Sequence, residues 1–257
     1  MSKNRKAPVL FVGHGSPMNA IENNSIRRGW RDMGKRLGKP RAIVAVSAHW
    51  YANGRFVRTE PMNEQIDDMY GFPDALYEVE YEPASNTALA RKTLELLGNG
   101  ARGTGIWGID HGVWSVLCNM YPDADVPVVM VSTDASASPE AQFETGRKLA
   151  ALRDEGAMLF ASGNVVHNLQ ATDWSSHDGF AWNKRFDRAV RDAIASRDFK
   201  SVVEYRQLPE WRKAVPTPDH FFPLLTALGA VAEDDSVEVW NEIFDLGSMS
   251  HTSYLFQ

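Results

Sequence analysis

The sequence predicts a single-domain α/β/α protein with a central mixed, largely parallel sheet flanked by helices. Short apolar runs bounded by glycine, proline or polar residues recur along the chain and read as strands. Segments with helical spacing of apolar residues separate them, the alternation expected of a sheet covered on both faces. No repeat, Ser/Gly linker or composition shift divides residues 1–257, so the whole chain is assigned to one domain.

Residues 8–12 (PVLFV) read as a first strand ending at Gly13. Ile26, Trp30, Met33 and Leu37 set a helix over 24–37, stopped by Gly38-Lys39-Pro40. Residues 41–48 (RAIVAVSA) read as a buried strand and 55–59 as a short edge strand, close enough for a hairpin-like return and some antiparallel pairing. An aromatic-rich, irregular connection follows, from Met69-Tyr70-Gly71-Phe72-Pro73 through Tyr77 to Tyr81. Helices are expected over 85–97, capped by Ser85, and over 113–120, 139–154 and 180–195. Residues 127–132 and 157–161 are strand-like. Pro218 is expected to open a helix carrying Leu224, Leu225 and Leu228, and 237–244 to form a late strand.

Composition narrows the function. The chain is 44% hydrophobic and 23% charged, with a formal net charge of -6. That acidic balance favours solubility and argues against a nucleic-acid or anionic-membrane partner, both of which reward basic patches. Nothing in the sequence sets an oligomeric state. The only cysteine, Cys118, allows no intrachain disulfide and no thiolate cluster, and it reads as a core residue. The polar start MSKNRKAP and the short run PVLFVG do not make a signal peptide. No apolar stretch approaches the ~20 residues that span a bilayer, so a cytoplasmic protein is expected.

Five of the seven histidines occupy informative places. His14 and His49 follow apolar strand runs, and His167 lies just past the strand at 157–161 in SGNVVHN. His111 stands in a Gly-rich turn before a helix, and His220 follows Pro216-Thr217-Pro218 at a helix start. Ligands gather outside the carboxyl ends of strands in open α/β sheets, where separate segments can deliver imidazoles to one pocket. A borderline divalent metal prefers imidazole, and three protein ligands leave positions open for substrate. Each position has a plainer reading taken alone: His14 tolerated in a glycine turn, His49 in the core beneath Trp50, His220 on a surface helix. Their recurrence at strand ends is what points to a metal. His177 and His251 are expected to face solvent. The chain has no H-E-x-x-H, G-x-S-x-G, Walker A or G-x-G-x-x-G motif.

A set of longer strings runs in order along nearly the whole chain: GHGSPMN at 13–19, VSAHW at 46–50, YGFPDALYEVEY at 70–81 and GIDHGVWSVLCNMYPDADVPVV at 108–129. GRKLAALRDEG at 146–156, ASGNVVHNL at 161–169 and PTPDHFFPLLTALGA at 216–230 complete it. Together they resemble the class III (LigB-type) extradiol ring-cleaving dioxygenases, in particular the 4,5-DOPA dioxygenase family. The resemblance implies metal ligation by His14, His49 and His220, with His167 as the catalytic histidine and His111 as a second pocket histidine that orients substrate or oxygen. Protocatechuate-type relatives complete a two-histidine site with a carboxylate. Here that place reads Asp219-His220, so His220 is taken as the ligand and Asp219 is kept as the alternative.

The resemblance further implies one non-haem Fe(II) for activity, with Zn(II) able to occupy the same ligands. The substrates would be O2 and a small-molecule catechol of the 4,5-DOPA type, opened to a muconic semialdehyde in aromatic compound catabolism. A zinc-dependent hydrolase on the same histidines and a non-catalytic metal-binding member of the fold remain open as alternatives. The loop at 69–81 and the C-terminal SMSHTSYLF read equally as pocket walls and as core packing.

Overall fold

The computed structural model describes residues 6–257, and the first part of the polar start, residues 1–5, lies outside them. The strands are β1 (Val9–Gly13), β2 (Ala42–Ala52), β3 (Arg55–Arg58), β4 (Ala101–Thr104), β5 (Val128–Asp134) and β6 (Ala157–Gly163). β7 (Val237–Trp240), β8 (Phe244–Asp245), β9 (Met249–Ser250) and β10 (Ser253–Phe256) follow. The helices are α1 (Ser25–Leu37), α2 (Asp74–Tyr77), α3 (Thr87–Leu97), α4 (His111–Met120) and α5 (Pro139–Leu149). They continue with α6 (Ala181–Ala195), α7 (Phe199–Val203), α8 (Trp211–Ala214) and α9 (Phe222–Gly229).

Eight strands form one mixed sheet in the order β4-β3-β5-β2-β6-β1-β10-β7. Its centre, β5-β2-β6-β1, is parallel, and antiparallel pairings join it to β3 on one side and β10 on the other. Strand side chains alternate between faces. Val9 and Phe11 therefore join the core beneath α3, α5, α6, α7 and α9, while Leu10 and Val12 join the core beneath α1 and α4. The three-layer α/β/α arrangement expected from the sequence is the one observed. Helix ends follow local chemistry: Asn24 accepts from the Arg27 amide at the start of α1, and Gly38 at φ 67 closes it. A side-chain cap of this kind contributes ~1 kcal/mol.

Several boundaries differ from expectation, each for a local reason. α3 begins at Thr87 with Asn86, not Ser85, as its cap, because the Asn86 side chain accepts from the Leu89 amide. The strand at 55–58 is not an edge, since β4 pairs outside it. β4 (ARGT) escaped notice because it carries no apolar alternation. The helix expected over 139–154 tightens to 3-10 geometry at Ala150–Glu155. Pro218 opens a turn that accepts the amides of Phe221 and Phe222, and α9 starts only at Phe222. The strand expected over 237–244 breaks at Asn241, whose φ is 46, and Phe244–Asp245 pairs with β9 instead. No helix among the described residues is long and apolar enough to cross a membrane.

Candidate metal centre and active site

The parallel strands end together, and their ends deliver the histidines. β1 runs out at Gly13, and the next amide, of His14, donates to the Gly163 carbonyl at the end of β6, 3.1 Å away. The register of β2 against β5 shifts between Ser47 and Tyr51, and His49 lies inside that irregularity. Such a bulge re-aims a side chain that a regular strand would send into the sheet face. His167 follows β6, with its amide 3.0 Å from the Ala214 carbonyl. His220 is brought in by backbone contact: a Cβ on Gly163 would lie 2.1 Å from the His220 carbonyl oxygen, so only glycine permits the approach. His111 is the first residue of α4.

These turns bring His14, His49 and His220 to one point, with one ring nitrogen from each within 4.8 Å of the others. His14 Nε2 and His49 Nε2 are 3.1 Å apart. The opposite nitrogens decide the tautomers. Ser162 donates its hydroxyl to the Gly112 carbonyl, so it accepts from His14 Nδ1 at 2.9 Å. His49 Nδ1 faces Asp68 Oδ2 at 3.1 Å, and His220 Nδ1 bonds to Asp219. A carboxylate only accepts, so each Nδ1 carries the proton and each Nε2 presents a lone pair. Facing lone pairs at this distance repel unless a positive group lies between them. The residues fit a divalent metal, oriented by the acceptors behind them.

Burial and the neighbouring imidazoles hold His14 well below its ordinary pKa. Burial also lowers His220, and the Asp219 bond offsets only part of this. At His49 burial acts downward too, but the Asp68 bond and the Asp110 charge outweigh it and raise the group. Asp68 bridges two rings, since its Oδ1 also lies 3.0 Å from His111 Nδ1. Burial would raise Asp68, yet these two bonds keep it far below the carboxylate range. His167 stacks on His220 with ring centroids 3.5 Å apart and planes within 3°. Burial, then the nearby His220, lowers it well below the usual imidazole value.

Beyond the imidazoles the chain encloses a cavity of about 330 Å³, lined also by Met69, Tyr70, Phe72, Leu246 and Met249. Residues 8–257 match the family model described as the catalytic LigB subunit of aromatic ring-opening dioxygenase. The chain belongs to the LigB family. The family consists of metal-dependent ring-opening oxidoreductases, and the histidine cluster is a place where such a metal could sit. The chain is 42% identical over 257 residues to the 4,5-DOPA dioxygenase extradiol of Escherichia coli K12, covering 96% of this chain and 94% of the relative. It is 34% identical over 258 residues to the protein of that name from Beta vulgaris, covering 96% of each. An uncharacterized Escherichia coli K12 protein of known crystal structure superposes with a TM-score of 0.86 at 39% identity, covering 98% of this chain and 100% of that one.

The cavity draws in all five histidines singled out in the sequence, and the loop at 69–81 divides. Met69 and Phe72 line the cavity, whereas Tyr81 packs in the core. The C-terminal segment divides likewise, with Met249 on the cavity and Tyr254 and Phe256 in the core. His177 is exposed as expected, but His251 is not: it is 2% exposed and packs against Gly15. Position near a chain end suggested solvent, but β10 inserts between β1 and β7 and carries the segment inside. Cys118 is protonated, its thiol pushed up to about 12 by burial. Sequence reasoning missed Asp68 and Ser162. Asp68 is one of several acids in and beside the aromatic loop, with Asp67 next to it and Asp74, Glu78 and Glu80 following, so nothing singles it out, and a serine in a strand carries no signal.

Proposed function

We propose that this protein is an extradiol dioxygenase that uses one Fe(II), held by His14, His49 and His220, to insert O2 into a catechol ring beside the diol. The product is a muconic semialdehyde. The observation that carries this reading is the convergence of three imidazole lone pairs whose Nδ1 protons are all committed elsewhere. When bound, the ion supplies open coordination positions for the substrates and acidifies the phenolic oxygens it contacts. His167 is neutral near pH 7 and accepts a phenolic proton, then returns a proton as the ring opens. His111, fixed through Nδ1 by Asp68, offers Nε2 as an acceptor to a substrate hydroxyl. In this reading Asp219 positions His220, whose Nδ1 edge it occupies. Met69, Phe72 and Leu246 exclude water around the reacting ring.

The names of the relatives support a 4-substituted catechol of the DOPA type as the substrate. The same imidazole set would also take up Zn(II). The test is anaerobic reconstitution with Fe(II) followed by a catechol panel, recording oxygen uptake and the yellow absorbance of the ring-opened product. Absence of oxygen uptake with every catechol would overturn the reading.

A further inference from the structure

Resting on the metal site of the ring-cleaving reading, we infer that Asp110 is a positioning residue for the ligand His49, acting through the Ser47 hydroxyl. The register of β2 against β5 steps from Ser47 opposite Ser132 to Tyr51 opposite Thr133. Ala48, His49 and Trp50 stand outside that ladder, so strand pairing does not fix where His49 stands. Other contacts have to.

Asp110 supplies them. It stands at the N-cap of α4, where an aspartate ordinarily accepts an amide of the helix it precedes. Its carboxylate makes no such bond, and the first amide of α4, that of His111, goes to Asp68 Oδ1 at 2.8 Å. The Asp110 carboxylate is turned toward β2 instead. Its Oδ1 accepts the Ser47 hydroxyl at 2.7 Å and its Oδ2 accepts the Trp107 indole N–H at 2.9 Å. With its proton committed to Asp110, the Ser47 oxygen accepts the His49 amide at 3.1 Å. The Ser47 carbonyl accepts the Thr133 hydroxyl at 2.7 Å, which pins the near end of the bulge to β5. On the far side, Trp107 stacks on Trp50 with ring centroids 6.4 Å apart and planes 12° apart. Asp110 thus grips the chain on both sides of His49.

The ring itself packs closely against α4. A Cβ on Gly112 would lie 2.9 Å from His49 Cδ2 and 3.2 Å from both Asp110 Oδ1 and Ser47 Oγ. Asp110 and Ser47 are fully buried, and both donors bonded to the carboxylate are neutral. A buried carboxylate is costly to keep, and what this one holds is the backbone beneath His49. Asp68 sets the tautomer and turn of the imidazole from its Nδ1, and Asp110 sets where the imidazole stands.

The test measures metal affinity and not turnover. Zn(II) competition titrations on the full chain should show Ser47→Ala and Asp110→Asn each weakened about 10–100-fold, the scale of partners that orient a metal ligand. Co(II)-loaded Ser47→Ala should show a shifted visible spectrum, because a displaced imidazole changes the ligand geometry. Ser47→Ala leaves the carboxylate charge in place, so its loss of affinity reports position and not attraction. The double variant should bind no more weakly than Asp110→Asn, since both act through one chain of bonds. Parent-like affinity and Co(II) spectrum in folded Ser47→Ala overturn the inference and leave the ring-cleaving reading intact, even if the variant melts earlier. A loss confined to Asp110→Asn overturns it too, by making the carboxylate a charge and not a support. Should Asp110→Asn fail to fold, Ser47→Ala alone decides. Weakened binding in both variants, with no oxygen uptake by the Fe(II)-loaded parent on any catechol, upholds the inference and counts against the ring-cleaving reading.

Discussion

The two ends of the central sheet bury polar groups to opposite purposes. At the amino ends of β1 and β6, Arg153 is 1% exposed and every branch of its guanidinium is used. It donates to Ala7 O at 2.7 Å and Ala230 O at 2.8 Å, and in a fork to both Asp235 oxygens at 2.7 and 2.8 Å. Asp235 also accepts the Ala232 amide at 2.7 Å. At the carboxyl ends, His14 and His220 are also buried, yet each spends one nitrogen on a neighbour and leaves the other unspent. A saturated cluster ties segments together, whereas an unsaturated one offers valences to something outside the chain. Burial alone does not separate the two, and the hydrogen-bond count does.

If the contrast is right, changes at the open cluster abolish activity and changes at the closed one abolish stability. His14→Ala, His49→Ala and His220→Ala should each lose bound metal and all turnover, as elemental analysis and oxygen uptake would show. Full metal occupancy in all three would remove the site. His167→Ala should keep its metal and lose ~10²–10⁴-fold in turnover, the usual contribution of a positioned acid/base. Should its metal content collapse and activity return on reloading, His167 is a support and not a proton carrier. Arg153→Ala should cost about 3–5 kcal/mol in urea unfolding by stranding Asp235, with kcat of the folded fraction unchanged. A fall in kcat without loss of stability would break the comparison at its other end.

Asp68→Asn sits between the extremes. It removes the carboxylate that orients His49 and His111, and should weaken metal affinity about 10–100-fold in a competition titration without unfolding the protein. The smallest effect concerns His251, which burial lowers from 6.5 to about 4. Its folded pKa lies below its unfolded one, so the unfolded chain takes up the proton first as pH falls. Stability present above about pH 6.5 is therefore lost progressively toward pH 4, and His14, His167 and His220 act in the same direction in metal-free protein. His251→Gln should flatten that slope in melts taken across the window. An unchanged slope would place the acid sensitivity in the other histidines.

What was legible in the sequence followed from two kinds of signal. Apolar runs such as VLFV and IVAV are long and clean enough to read as buried strands, and histidines directly after them mark the open end of the sheet. Motif order carried the rest of the site. β4 and β10 were not legible, because ARGT is polar and SYLF is too short to separate strand from wall. The burial of His251 depends on pairing between residues about 240 apart in sequence, as in the bond from the Gly13 amide to Ser253. Asp68 and Asp219 act through ring nitrogens that no spacing rule reveals. Asp219 was weighed as a ligand from its position beside His220; its carboxylate bonds to the His220 Nδ1, and it also stands with His167 and His220 in a group that could hold a metal.

The measurement closest to the central claim is cleavage of a 4-substituted catechol under ¹⁸O₂ by parallel Fe(II)- and Zn(II)-loaded samples. Product mass, absorbance and oxygen consumption are recorded together. The Fe(II) sample should consume one dioxygen per catechol and yield a ring-opened semialdehyde that carries the label, while the Zn(II) sample stays silent. Turnover with zinc and not iron, or an unlabelled hydrolysis product formed without oxygen uptake, would contradict the account and transfer the same histidines to a hydrolase.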